Sequence, residues 1–236
     1  MAQTLVDKIK DRTATIAIIG LGYVGLPLAA EMAKAGFRVY GIDIDGDRID
    51  TINGGRSYID DVSDADLAGL VARGLVATED TGVVKEVDAV VICVPTPLTR
   101  AKQPDLSYVV TAVTQLVPHL HRGQLVILES TTYPGTTQEV VKPILERSGL
   151  VAGRDFHLAF SPERLDPGNR NRGIRTVPKI VGGLTPGCTE AACLLYQQVT
   201  PSVVSVSSAT VAEMVKVYEN VFRNVNIALV NELTLL

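Results

Sequence analysis

The sequence has only three cysteines, and they form neither a disulfide framework nor a metal site. Cys93, Cys188 and Cys193 are odd in number and have no metal-ligand spacing, which is typical of a protein kept in a reducing compartment. We therefore predict a cytoplasmic protein. His119 and His121 have no acidic or cysteine partner nearby in the sequence, so we interpret them as surface residues and predict no metal site.

Long apolar runs and long runs of one charge are also absent. No segment has about 18 consecutive uncharged apolar residues, the length needed to cross a bilayer, and the N-terminus lacks the apolar core of a signal peptide. The net charge of −4 is spread along the chain. We therefore expect neither a membrane nor a nucleic acid as partner, and a small molecule is the better candidate.

What the sequence does contain is a series of short apolar runs rich in Val and Ile, separated by longer helical patterns. These runs lie at 15–20, 37–43, 88–94, 124–131 and 155–160. Because they lack a polar face, they predict parallel strands covered by helices on both sides. Helices are expected at 22–35 and 136–148, the second closed by Gly149. We predict a doubly wound, Rossmann-type α/β domain over 1–205, with a loop at 161–176.

The first apolar run leads into a glycine-rich turn. Gly20, Gly22 and Gly25 form the pattern G-x-G-x-x-G between a predicted strand and a predicted helix. The first glycine permits a tight turn, the second lets a pyrophosphate approach the backbone, and the third lets helix and strand pack closely. The helix N-terminus then presents free N–H groups to phosphate. We assign these glycines, with Tyr23 and Val24 between them, to a dinucleotide site.

An acidic residue ends the second predicted strand. Asp43 lies 18 residues after Gly25, where a carboxylate accepts hydrogen bonds from both ribose hydroxyls and repels a 2′-phosphate. This favours NAD over NADP. Arg48 is a further candidate near the adenine ribose, and the alternative for it is a solvated helix arginine.

Polar residues also follow the later strands. Val94 and Thr96 in VPTP, and Thr131 in ESTTYPG, are expected to face the cofactor, although turn formation alone is an equal explanation for the Thr and Pro residues there. Glu163 in SPER follows another strand, where a carboxylate acts as a base or positions water. An exposed loop glutamate paired with Arg164 is the alternative.

The C-terminal segment, residues 210–236, has the pattern of a long helix. Thr210 and Glu213 match a T-x-x-E capping box. The apolar stripe comprises Met214, Val217, Val221, Val225 and Ala228. Left exposed, this stripe predicts association. Lys216 and Asn220 lie on the opposite face, either in solvent or in a cleft where they stabilise an oxyanion.

Seven motifs occur in order along the chain: GLGYVGLPLA, GIDID, VPTP, ESTTYPGTT, SPERLDPGN, PKIVGG and AEMVKVYENVFRNVNIALVNEL. Together they resemble the UDP-glucose/GDP-mannose dehydrogenase family over nearly the whole chain. ESTTYPGTT and SPERLDPGN look most like the branch that oxidises UDP-N-acetylhexosamines, which supplies precursors for polysaccharides.

This resemblance implies a two-step reaction. Family members oxidise the sugar C6 alcohol to a carboxylate, reduce two NAD in turn, and pass through an aldehyde and a cysteine-bound thioester that water hydrolyses. Carried to matching positions, it implies that Thr131 and Glu163 handle the water and that Lys216 and Asn220 stabilise the C6 oxyanion. Glu163 would also assist thioester hydrolysis.

The chain departs from the family in one respect. The nucleophilic cysteine of the family lies in a Gly-rich segment after the long helix, and this sequence has no such segment. We therefore interpret 206–236 as the start of a central helix that forms a homodimer, and the chain as the NAD-binding half without the cysteine and most of the UDP-sugar pocket. A single-step hydroxyacid dehydrogenase and a non-catalytic NAD-binding or dimerisation module remain the alternatives.

Overall fold

The structure is a computed structural model that describes residues 3–164 and 177–235. Within these residues, one sheet contains eight strands. They are β1 (Thr15–Ile19), β2 (Arg38–Ile42), β3 (Val76–Thr78), β4 (Ala89–Ile92), β5 (Leu125–Leu128), β6 (His157–Phe160), β7 (Lys179–Gly183) and β8 (Val203–Ser205). Their order across the sheet is β3-β2-β1-β4-β5-β6-β7-β8. The five predicted strands are confirmed, whereas β3, β7 and β8 were missed.

The helices connect these strands and cover the sheet. They are α1 (Leu5–Lys10), α2 (Gly25–Lys34), α3 (Gly46–Asn53), α4 (Asp64–Ala72), α5 (Ser107–Leu116), α6 (Lys142–Leu145), α7 (Pro186–Tyr196) and α8 (Ala209–Thr234). Short 3₁₀ helices span Thr81–Glu86 and Glu146–Ser148, and a π-helical turn spans Thr137–Val141. Pro143 lies inside α6, between the π-helical turn and the second 3₁₀ helix, and it has no N–H group for a helical hydrogen bond.

The sheet has a hydrophobic core on each face. In β1, Ile16 and Ile18 belong to one buried cluster, while Ala17 and Ile19 belong to the other. The same alternation holds in β4 and β5, every residue of which is buried. Because successive side chains point to opposite faces, a strand buried on both sides shows an unbroken apolar run. This explains why the runs could be identified from the sequence.

The last two strands run against the first six. Strands β1 to β6 are parallel, β6 and β7 pair antiparallel, and β7 and β8 are again parallel to each other. The prediction of a parallel sheet is therefore confirmed for β1 to β6 and wrong for β7 and β8. Because of the reversal, β7 begins at the edge where β1 to β6 end. Its first residue, Lys179, thus lies beside the strand ends that form the site.

Two helix boundaries differ from the predictions. Helix α2 begins at Gly25 rather than at residue 22, because the preceding glycines form the turn. Helix α8 is capped by Ser208, whose hydroxyl accepts a hydrogen bond from the N–H of Val211. The predicted capping box of Thr210 and Glu213 is therefore wrong. The second predicted helix ends as expected at Gly149, where φ is 84°.

Helix α8 has 26 residues, and only its first two turns are buried against the sheet. The predicted apolar stripe is mostly exposed, with 54% of Met214, 55% of Val221 and 61% of Val225 accessible. Of the predicted loop 161–176, residues 165–176 lie outside the described part of the chain.

Candidate NAD site and catalytic residues

The glycine turn between β1 and α2 has the geometry that its sequence predicts. Gly20 has φ +88°, and a Cβ on Gly25 would lie 1.8 Å from the carbonyl oxygen of Gly20, so strand and helix meet without space for a side chain. A Cβ on Gly22 would instead have no atom within 4 Å. An open position that nonetheless lacks a side chain fits close approach by a ligand. Val24 at the start of α2 has no side-chain oxygen that could accept hydrogen bonds from the first N–H groups of the helix. These N–H groups are therefore available to bind phosphate.

A cavity of about 790 Å³ lies along the carboxyl ends of the strands. Nine of the ten predicted cofactor residues line it: Gly20, Gly22, Tyr23, Val24, Asp43, Arg48, Val94, Thr96 and Thr131. The tenth, Gly25, packs behind the turn. The carboxyl end of a doubly wound sheet is where such folds bind dinucleotides, and the volume is typical of a cofactor pocket.

The end of the cavity beside β2 is acidic and rigidly held. The carboxylate of Asp43 is 6% exposed and accepts hydrogen bonds from the N–H of Leu21 at 2.7 Å and from that of Asp45 at 3.0 Å. Arg48 lies 3.5 Å from Asp43 and stacks over the ring of Tyr58 at 5.8 Å. Arg48 is thus part of the cavity wall rather than a freely solvated arginine.

The ends of β4 and β5 are joined by side chains. The Thr96 hydroxyl donates to the carbonyl oxygen of Thr131 at 2.7 Å, and the Ser130 hydroxyl donates to that of Val94 at 2.7 Å. Thr96 therefore does stabilise the turn, in addition to lining the cavity. The side chain of Thr131 is exposed in the cavity.

Helix α8 brings Lys216 beside Glu163. The Lys216 ammonium is half-buried and donates to the backbone carbonyl oxygen of Glu163 at 2.5 Å. Burial lowers the pKa of Lys216, although the carboxylates of Glu163 and Glu219 oppose this. Asn220, one turn further along α8, is also half-buried. Thus Lys216 does not point into open solvent, although neither Lys216 nor Asn220 lines the cavity itself.

The alternative pairing of Glu163 with the guanidinium of Arg164 does not occur. Arg164 instead pairs with Glu219 on α8 and donates to the carbonyl oxygen of Pro178 at 2.8 Å. The carboxylate of Glu163 accepts from the backbone N–H of Arg164 at 2.6 Å and from the ammonium of Lys179 at 3.4 Å. Glu163 also lines the cavity.

A buried ionic cluster at this end of the cavity was missed from the sequence. Glu129 is 1% exposed and lies 2.8 Å from the ammonium of Lys179, which is 6% exposed and sits 5.0 Å over the ring of Tyr196. The Tyr196 hydroxyl donates to the same carboxylate oxygen of Glu129. We call Glu129, Lys179, Tyr196 and Glu163 the acidic cluster. The only sequence signal for Glu129 and Lys179 was that each is a charged residue directly beside a short apolar run.

Burial and charge shift the pKa values within this cluster. Burial raises the pKa of Glu129, against the opposing effect of Lys179. Burial disfavours the charged form of Lys179, but Glu129 and Glu163 outweigh it and raise the pKa of the ammonium. The pKa of Tyr196 is raised by burial and by Glu129. The cluster therefore holds an ammonium and a neutral phenol at neutral pH.

The cysteines and histidines lie in different surroundings. All three cysteines are free; Cys93 directly follows β4 and lines the cavity, and burial raises its pKa well above the usual range. His121 is not simply a surface residue, because its ring contacts the carbonyl oxygens of Val87 and Arg122. Across residues 3–164 and 177–235, no three His, Cys, Asp or Glu side chains are grouped to hold a metal ion.

The chain is similar to known dehydrogenases. The model of the UDP-glucose/GDP-mannose dehydrogenase family, NAD binding domain, matches residues 14–200. The UDP-N-acetyl-D-glucosamine 6-dehydrogenase of Salmonella typhi is 40% identical over 233 residues, 98% of this chain and 53% of that protein. The NDP-N-acetyl-D-galactosaminuronic acid dehydrogenase of Ralstonia nicotianae is 40% identical over 231 residues, 94% of this chain and 54% of that protein. The structure of the UDP-D-ManNAc dehydrogenase from Pyrococcus horikoshii has a TM-score of 0.87 at 39% identity, and covers 92% of this chain and 52% of that one.

The chain thus spans about half the length of the curated relatives it matches. In the part of the chain that the structure describes, no helix has the length and apolar character to cross a membrane. The family match covers well over half of the chain and confirms the resemblance of the seven motifs. The chain belongs to the UDP-glucose/GDP-mannose dehydrogenase family and carries its NAD-binding domain, with NAD as the cofactor.

Proposed function

We propose that this chain is the NAD-binding half of an enzyme that oxidises the C6 hydroxyl of a UDP-N-acetylhexosamine to a carboxylate, supplying a precursor for polysaccharide synthesis. The observation that carries this proposal is the contact between Lys216 and Glu163 at the cavity that fits the cofactor. The names of similar proteins support the substrate class, because they include UDP-N-acetylglucosamine and UDP-N-acetylmannosamine dehydrogenases.

The residues of the cavity have distinct roles in holding the cofactor. The backbone at Gly22 and the N–H groups of the first turn of α2 bind the pyrophosphate. Asp43 accepts the ribose hydroxyls and excludes a 2′-phosphate by charge repulsion. Arg48, Tyr23, Val94 and Thr96 complete the walls. When bound, the nicotinamide ring supplies the hydride acceptor.

Four residues carry the remaining chemistry. Lys216, whose pKa burial lowers, assists removal of the hydroxyl proton and, with Asn220, stabilises the oxyanion that forms. Thr131 and Glu163 orient the water for the second step, and Glu163 assists hydrolysis of the thioester. The exposed Thr131 side chain and the carboxylate of Glu163 share the cavity, which supports their joint role.

The thioester nucleophile is not provided by Cys93, Cys188 or Cys193. Burial raises the pKa of Cys93, and such a thiol is a poor nucleophile. Cys188 is buried and Cys193 lies on α7 away from the cavity lining. We therefore propose that this chain binds NAD without completing the two-step oxidation, acts in the cytoplasm, and forms a homodimer through α8 and the rest of 206–236.

The proposal is tested with the purified 236-residue chain. Calorimetry is expected to show binding of NAD and at least tenfold weaker binding of NADP, with Asp43→Asn removing most of this preference. Incubation with UDP-N-acetylglucosamine and NAD should give no sustained NADH production. Binding without turnover would equally fit a non-catalytic module. The decisive comparison is therefore between the NADH production of this chain and that of a protein extended beyond Leu236. One NADH per turnover with a small hydroxy acid would instead favour the single-step dehydrogenase.

A further inference from the structure

Leu21, between the first two glycines of the glycine turn, is held by contacts on three sides. Its side chain is 1% exposed and packs against β2, where a Cβ on Gly41 would lie 2.8 Å from it. Its N–H donates to the carboxylate of Asp43 at 2.7 Å. Its carbonyl oxygen accepts a hydrogen bond from the hydroxyl of Tyr58, in the segment after α3. The protein itself therefore fixes the direction of the backbone on both sides of Leu21.

The hydrogen bond from Tyr58 also sets the direction of the next N–H group, which is that of Gly22. The peptide bond between Leu21 and Gly22 is trans, so its C=O and N–H groups lie in one plane and point in opposite directions. Gly22 is one of the described residues that line the cavity, and Tyr58 is not. Because the carbonyl group is turned toward Tyr58, the N–H of Gly22 is turned away from Tyr58, to the side of the turn where the cavity lies.

The N–H of Gly22 has no acceptor within residues 3–164 and 177–235. The two N–H groups before it in the turn each have one, because that of Gly20 donates to the carbonyl oxygen of Ile42 at 2.8 Å and that of Leu21 donates to Asp43. A backbone N–H without a protein acceptor requires water or a ligand. Since a Cβ on Gly22 would meet nothing within 4 Å, this N–H is open to a phosphate oxygen that enters the cavity.

Tyr58 is itself held in place. The guanidinium of Arg48 lies 5.8 Å from the centroid of its ring and 3.5 Å from the carboxylate of Asp43. The neighbouring Ile59 is 5% exposed and belongs to the hydrophobic core. Burial raises the pKa of Tyr58 to about 12, so at neutral pH the hydroxyl keeps the proton that it donates to Leu21.

We propose that Tyr58 positions the N–H group of Gly22 that binds the pyrophosphate of the cofactor. The inference rests on the proposed placement of NAD in this cavity, and it assigns a positioning role to a residue that the sequence analysis did not identify. Tyr58 acts through the carbonyl group of Leu21. Without the hydroxyl, this carbonyl has no other donor in the described part of the chain, so the peptide and its N–H lose their fixed direction. The adenosine, which Asp43 binds, should be little affected.

The test compares ligands with and without a pyrophosphate on two variants that each lose one phenolic hydroxyl. Tyr58→Phe removes the donor to Leu21. Tyr40→Phe is the matched control on β2, because the Tyr40 hydroxyl accepts from Arg38 at 2.6 Å and Tyr40 is not among the described residues that line the cavity. ADP-ribose contains the adenosine and the pyrophosphate of NAD, whereas adenosine contains no phosphate. Calorimetry measures the binding of NAD and ADP-ribose, and an NMR titration measures that of adenosine.

Tyr58→Phe is expected to weaken the binding of ADP-ribose and of NAD about tenfold, equivalent to about 1.4 kcal/mol, and to leave adenosine binding within about twofold. Tyr40→Phe should leave all three affinities within about twofold. An equal loss for ADP-ribose and adenosine, or no loss for ADP-ribose, would overturn the inference while the cofactor site stands. If the unaltered chain bound neither NAD nor ADP-ribose, the proposed cofactor site would itself be wrong, and the inference with it.

A second measurement covers the case in which Tyr58→Phe does not fold. The unaltered chain is labelled with ¹⁵N-glycine, which gives an amide resonance for each of its 20 glycines, and Gly22→Ala identifies the resonance of Gly22. ADP-ribose should move this resonance downfield, because the N–H then donates to a phosphate oxygen, whereas adenosine should leave it nearly unchanged. A Gly22 resonance that ADP-ribose does not move would overturn the inference.

Discussion

The carboxylate of Glu213 on α8 accepts hydrogen bonds from both the backbone N–H and the hydroxyl of Thr137, at 2.8 and 2.6 Å. It also accepts from the N–H of Gly135 at 2.5 Å, and it is fully buried. Glu213 therefore fastens α8 to the segment that follows Thr131. Lys216 lies one turn further along the same helix, so the hydrogen bonds of Glu213 set the distance between Lys216 and the cavity.

Replacing Glu213 by Ala is expected to lower the free energy of unfolding by about 2 to 4 kcal/mol, because two buried N–H groups lose their acceptor. Urea denaturation of the purified chain measures the change. Glu232→Ala, on the exposed part of the same helix, is the matched control and should alter stability by less than about 0.5 kcal/mol. Equal effects of the two substitutions would contradict the structural role.

Two substitutions of glycine by alanine should affect different properties, one the stability of the chain and the other its affinity for NAD. In Gly25→Ala, the new Cβ would lie 1.8 Å from the carbonyl oxygen of Gly20, so we expect a loss of about 3 kcal/mol or more in unfolding free energy. In Gly22→Ala, the Cβ meets nothing within 4 Å, and stability should change by less than about 1 kcal/mol. NAD affinity should nevertheless fall at least about tenfold. Denaturation and calorimetry on both variants provide the check, and unaltered NAD binding by Gly22→Ala would count against the pyrophosphate assignment.

The exposed stripe on α8 predicts self-association. The double variant Val221→Lys, Val225→Lys places two charges on side chains that are 55% and 61% exposed, and should weaken a dimer at least about tenfold. Sedimentation equilibrium measures the association constant. Asn231→Lys adds a charge to the exposed part of α8 outside the apolar stripe and is the control. A chain that stays monomeric before substitution at every concentration would show that this stripe does not mediate dimerisation.

Tyr58 should give an alkaline signature. Burial raises its pKa from 10.0 to about 12, with Arg48 opposing and Asp43 and Asp45 adding to the shift, and its hydroxyl donates to the carbonyl oxygen of Leu21. Between these two pH values the folded chain keeps a proton that the unfolded chain releases, so stability should fall as the pH rises through this interval. Ultraviolet difference titration of the chain and of Tyr58→Phe isolates this tyrosine. Its ionisation near pH 10 would contradict the desolvation of this partly exposed phenol.

Local patterns predicted the elements of this fold well, but not the contacts between distant segments. The strands at the centre of the sheet were visible because both of their faces are buried, and the glycine turn because its spacing follows from backbone geometry. Glu213 was interpreted as a capping residue since a suitable Thr lies three residues before it. Its actual partner, Thr137, is 76 residues away.

The reversal of β7 illustrates the same limit. The strand is only five residues long, and hydrophobic periodicity does not reveal strand direction. The reversal nevertheless brings Lys179 to the edge where Glu129 and Glu163 lie. Glu129 and Tyr196 are 67 residues apart, so no pattern within one segment could have identified the acidic cluster.

Because Glu213 fastens α8 to the segment after Thr131, a sideways movement of the exposed part of this helix would pivot about Glu213. At a rise of about 1.5 Å per residue along the helix axis, Lys216 lies about 4.5 Å from Glu213, whereas Thr234 lies about 31 Å from Glu213. A sideways movement of the exposed end therefore reaches Lys216 reduced about sevenfold. A displacement of several ångströms at Thr234 would therefore move the ammonium beside Glu163 by less than about 1 Å.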